Sequence, residues 1–139
     1  MEENYNLSEK KELSEAFFNR ALNLLKQAED NLNIGNYDTV INRCYYSAFY
    51  AVKSILLFYG VETATHGGTI IMFDLYVVKD KKEEMKKYSK ILRELEESRE
   101  TSDYDAFAWS YYSEDNAKYY LKITEEFLTK IDELRKEFR

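Results

Sequence analysis

Two side chains stand out for the chemistry of holding a phosphate or moving a proton: Arg99, for its place at the end of an apolar stripe, and His66, the single histidine. A guanidinium binds phosphate through a planar fork of N–H donors. Imidazole is the side chain whose ordinary pKa suits proton transfer near neutral pH, and His66 is the only histidine, so any imidazole shuttle must use it. The competing reading of His66, set between Thr65 and Gly67 at a helix entrance, is a cap or packing residue. Arg99 follows Tyr88, Leu92 and Leu95 at spacings of four, three and four, which directs it into a core rather than to solvent. A charge there needs a partner. That partner is either Asp103 or a carboxylate from another helix, or else a ligand phosphate. Arg43 shares a polar strip with Ser47, Tyr50 and Ser54, which reads as a buried hydrogen-bond network or as a second anion contact. No second His or Cys lies at ligand spacing, so no metal site is expected. No phosphate-cradling Gly-rich loop, nucleophile elbow or helix-turn-helix signature is present, and no cofactor is expected.

The elements that must position these residues are helices. The chain has no proline and four glycines, and strand signals are missing. A first helix is expected from Ser8, as cap, to Gly35, with Leu13, Phe17, Ala21, Leu24 and Ala28 inward. A second, capped by Asn36, runs from about Tyr37 to Tyr59 and is apolar around most of its circumference, as a central helix must be. A short third fits Gly68 to Val78. A fourth spans Lys82 to Arg99 with Met85, Tyr88, Leu92 and Leu95 inward, followed by an aromatic-rich loop from Thr101 to Tyr112. The last is capped by Ser113 and repeats Ala117, Tyr120, Thr124, Phe127, Ile131, Leu134 and Phe138 at near-heptad spacing. Long helices with short links give an antiparallel up-and-down bundle of four long helices plus one short one, an all-α fold. A single domain over residues 1–139 is expected, with residues 1–7 flexible.

The net charge of −6 argues against a surface wholly committed to nucleic acid. Residues 79–93 hold seven positive side chains against three acids, read as a solvated helix face with pairs such as Glu83 and Lys87, or as a local basic patch. The single cysteine, Cys44, cannot make an internal disulfide and fits a reducing cytoplasm. Lys53 interrupts the most apolar segment, so no membrane span is expected. The rings from Tyr104 to Tyr112 suit a dimer interface better than base stacking, and with the apolar helix ends they exceed what one small bundle covers, which predicts a homodimer.

The series Asn42-Arg43-Cys44-Tyr45-Tyr46, Phe49 and Ala51, then Gly60, then Thr65-His66-Gly67-Gly68, Phe73, and later Arg99 with Asp103-Tyr104 resembles the HEPN superfamily (higher eukaryotes and prokaryotes nucleotide-binding domain) across residues 8–138. Ribonucleases of that superfamily carry an arginine followed four to six residues later by histidine. Here Glu100 to Ala106 include none. Asp103 would need its pKa raised while Arg99 lowers it, and Tyr104 would need the opposite help. The resemblance implies a small stand-alone HEPN protein whose enzymatic activity is open, with Arg99, Asp103, Tyr104 and His66 as catalytic candidates. It implies Arg99, Arg43, Tyr104 and His66 as ligand-binding candidates. The implied role is the toxin-like or partner subunit of a minimal nucleotidyltransferase system, binding nucleotide or RNA phosphate in a homodimer cleft where two arginine motifs face each other. The alternative is a non-catalytic helical interaction module whose arginine motif is structural.

Overall fold

The computed structural model describes residues 6–104, 107 and 111–138, with the backbone alone for Lys82, Ser102, Asp103 and Tyr104. Among them run five α-helices and no strand: α1 (Leu7–Asn33), α2 (Tyr37–Leu56), α3 (His66–Met72), α4 (Lys82–Tyr104) and α5 (Glu114–Glu137). A 3-10 turn, Leu57–Tyr59, extends α2, and a π-helical stretch, Phe73–Val78, extends α3. Four helices are long and one is short, as the periodicity predicts.

Helix α2 is the hub, packing against α1, α4 and α5. Twelve of its residues are buried, from Val40 to Leu56, which is why its sequence is apolar nearly all round. Cys44 lies among them, and burial pushes its thiol up to about 12. The inward stripe of α4 is the one its spacing predicts: Met85, Tyr88, Leu92, Leu95 and Arg99 are all buried. On α5 the buried set is Ala117, Leu121, Thr124, Phe127, Leu128, Ile131, Leu134 and Arg135.

Several expected boundaries shift. Asn6, not Ser8, caps α1, its side chain accepting from the Glu9 amide at 2.8 Å. Ala21, Leu24 and Ala28 are buried as expected, but in the first turns of α1 the inward positions shift by one residue, so Ser14 and Phe18 are inside while Leu13 and Phe17 lie at the edge. Phe17 instead stacks on Tyr50. The cause is Arg135, 1% exposed, whose Nε donates to Ser14 Oγ, Nη1 to Asp132 and Nη2 to Glu15, with Phe18 beneath the guanidinium. Ser14 in turn donates to the Ser54 carbonyl. Asn36 precedes α2 but makes no side-chain cap, its amide donating to Asn31 instead. The turn before it relies on Gly35 at φ 80, a left-handed conformation that a Cβ disfavours.

Helix α4 continues one turn past Arg99 to Tyr104, so Thr101–Tyr104 are helical rather than loop. No glycine or proline stops it there, and Thr101 Oγ1 donates to the Glu97 carbonyl within the helix. Most charged side chains of residues 79–93 are exposed, and a few of them bridge elements. Arg93 and Ser89 both hold Asp74 of the π segment, and Lys81 pairs with Glu137 at 3.0 Å. Glu83 and Lys87 do not pair among the described residues. No described helix is long and apolar enough to cross a membrane.

Candidate functional site

Three segments far apart in sequence meet at one point on the flank of α2. The first is α2 itself, which contributes Tyr45, wholly buried, with Tyr46 and Phe49 beside it. The second is the start of α3. Thr65 caps that helix by accepting from the Gly68 amide at 2.9 Å, and its carbonyl accepts from Thr69. A Cβ on Gly68 would lie 2.7 Å from Thr65 Oγ1, so only glycine leaves room for this cap, whereas Gly67 faces open space. The cap fixes His66 as the first helical residue, with its ring against Tyr45, Tyr46 and Phe49. His66 Nδ1 is 2.7 Å from the Tyr45 hydroxyl. Thr63, bonded to Thr69 and accepting from Lys53, pins the connection that delivers His66.

The third segment is the inward stripe of α4. Arg99, 6% exposed, lies with its guanidinium 5.1 Å over the Tyr45 ring and donates from Nη2 to Glu96 Oε1 at 2.8 Å. Glu96 is one turn earlier on the same helix, and its second oxygen, Oε2, is buried with no hydrogen-bond partner among the described residues. The Tyr45 hydroxyl sits well above the ordinary tyrosine range. Burial is the main cause and the Glu96 carboxylate adds to it, while the Arg99 charge pulls the other way. The phenol is therefore neutral and able to donate. When it donates to Nδ1, the imidazole proton sits on Nε2.

This arrangement sorts the sequence candidates. His66 and Arg99 come together around the Tyr45 ring. Arg43 does not join them among the described residues. Two positions from Tyr45, it lies on the opposite side of α2, on the strip where Ser47 donates to the Ala21 carbonyl and Ser54 to the Ala51 carbonyl. The roles considered for Asp103 and Tyr104 concern side chains outside the described residues. Glu96 and Tyr45 enter the site without having been singled out as polar participants. The signal for Glu96 was its place three residues before an inward-facing arginine, where a carboxylate can reach it. Chemically the group offers a guanidinium for an anion, an imidazole for a proton and a carboxylate bonded to the guanidinium. No group of three or more His, Cys, Asp or Glu among the described residues gathers as a metal ligand set. The far end of α4 is held by Tyr112 donating to the Ser98 carbonyl and by Ser98 donating to the Tyr120 hydroxyl.

A helical bundle whose central helix carries the Arg-x-Tyr-Tyr segment, with Thr-His-x-Gly and an inward arginine converging on it, defines a class. The HEPN domain model matches residues 14–134, and the chain belongs to that family. A UPF0332 protein of Thermotoga maritima is 30% identical over 92% of this chain and 95% of its own length. A UPF0332 protein of Archaeoglobus fulgidus is 33% identical over 80% of this chain and 86% of its own. A protein of Methanocaldococcus jannaschii named "Putative toxin MJ0142" is 34% identical over 70% of this chain and 65% of its own.

Proposed function

We propose that this chain is a toxin-like HEPN protein that binds the phosphate of a nucleotide or RNA through Arg99, at a cleft formed by two copies of the chain. In this reading it works with a minimal nucleotidyltransferase as its partner. The observation that carries the reading is the convergence of Arg99 with His66 and Tyr45 from three separate segments. A core does not need an arginine and a histidine on one tyrosine for stability, because apolar residues of similar volume would pack at least as well. The toxin-like character is supported by the Methanocaldococcus jannaschii relative's name. A pair of Arg99 side chains across a two-fold axis would form a positive slot in a protein of net charge −6, reconciling an acidic chain with an anionic ligand.

The second reading, a non-catalytic interaction module with a structural arginine, is favoured by the 2.8 Å pair between Arg99 and Glu96. Fluorescence anisotropy with a labelled single-stranded RNA octamer separates the two. Arg99→Ala should abolish binding and Arg99→Lys should restore only part of it, since an ammonium cannot reproduce the bidentate fork. Circular dichroism must show both variants folded. A folded Arg99→Ala with wild-type affinity would establish the structural reading.

A further inference from the structure

The Arg99 that would receive a phosphate is already holding an anion. Its guanidinium is covered on one face by the Tyr45 ring, so recognition must run through the N–H edge, and Nη2 on that edge is engaged by Glu96 Oε1. We propose that Glu96 is a resident competitor for the ligand site, so that phosphate binding is an exchange of one anion for another on Arg99. The inference rests on the reading of Arg99 as a phosphate-binding residue and adds a regulator to it.

Comparison with the other buried arginine makes the point. Arg135 is 1% exposed and also lies over an aromatic ring, yet its carboxylate partners Glu15 and Asp132 are half or one-third exposed and well hydrated. Two helices share its bonds, since Ser14 and Glu15 belong to α1 and Asp132 to α5. That is the pattern of a structural tie. Glu96 differs on both counts. It shares a helix with Arg99, so their bond ties no two elements together. Its Oε2 is buried and receives no hydrogen bond among the described residues, so the carboxylate is poorly compensated where it stands. Its side chain keeps 16% exposure, a route by which it can turn outward to water while α4 stays in position. A phosphate offers the guanidinium the same oxygen geometry as a carboxylate and can carry more charge. Tyr45 and His66 lie beside the exchange, and the Tyr45 hydroxyl, on which the Glu96 carboxylate also acts, has His66 as its other partner when Glu96 turns out.

The test is binding of the labelled RNA octamer to the full chain as wild type, Arg99→Ala and Glu96→Gln. Glutamine keeps the shape of the side chain and removes the charge that competes. Glu96→Gln should bind about tenfold tighter, the ratio that follows from weakening one charge-assisted hydrogen bond. A gain in affinity cannot arise from damage to the fold. Unchanged affinity in Arg99→Ala would remove the binding site itself and the inference with it. Binding lost in Arg99→Ala but equal or weaker in Glu96→Gln would overturn the inference alone. If Glu96→Gln proves unfolded, carboxyl-carbon NMR of the wild type titrated with inorganic phosphate decides. The Glu96 carboxyl signal should move as phosphate binds, and a stationary signal at saturation would overturn the exchange.

Discussion

Tyr45 is at once a fully buried ring of the core and the residue on which the candidate site is assembled. Its edges serve packing against Tyr46 and Phe49, while its hydroxyl meets His66 and its face meets Arg99. Any imidazole proton transfer at such a site would have to use His66, the single histidine of the sequence, because none follows Arg99 along α4. Weak or absent metal-independent cleavage of single-stranded RNA is therefore expected in a gel assay. Robust cleavage that survives His66→Ala and vanishes with Arg99→Ala would require another proton-transfer group. Arg99 was legible in the sequence because the stripe of Met85, Tyr88, Leu92 and Leu95 runs straight into it. Glu96 was not, since charged side chains fill nearly every outward position of α4 and one more glutamate looks solvated. Nor was the polar use of Tyr45, because its partner arrives from 21 residues away, after a turn whose path local spacing does not specify.

At the scale of the element, the start of α3 is where sequence and site are joined most tightly. Thr65 caps, His66 opens the helix, and Gly68 vacates the space that the cap needs. Gly68→Ala should cost about 1–2 kcal/mol, the worth of a lost N-cap with some local strain, and should move His66 away from Tyr45. Gly67→Ala meets nothing within 4 Å and should leave stability within about 0.5 kcal/mol. Urea melts of the two variants check the contrast, and equal losses would mean that the cap does not position the helix. Helix number and order could be read from hydrophobic spacing alone. What it could not reveal is where an element is adjusted by a distant partner. The one-residue shift in the first turns of α1 sets Ser14 against Arg135 on α5, and the π-helical stretch from Phe73 to Val78 carries Asp74 to Arg93 on α4.

For the molecule as a whole, pairing is the expectation to examine first. Phe107 and Tyr111 stand exposed between α4 and α5, and Ile71 and Leu75 stand exposed along α3 and its extension. Sedimentation equilibrium at micromolar concentration should return twice the 16.6 kDa mass of the chain. A clean monomer would count against a shared cleft and leave any Arg99 site within a single bundle. The Arg135 tie bears on a different matter, the order in which the fold is completed during translation. Ser14 and Arg135 are 121 positions apart, so the first helix leaves the ribosome long before the residue that will clasp it. Until then α1 has only α2, its neighbour in the chain and its most extensive packing partner, on which to lay its apolar face. An α1–α2 hairpin formed before residue 135 emerges can already make the Ser14 bond to the Ser54 carbonyl, but not the one to Arg135. Arg135 then fastens α5 to the start of α1 across that separation.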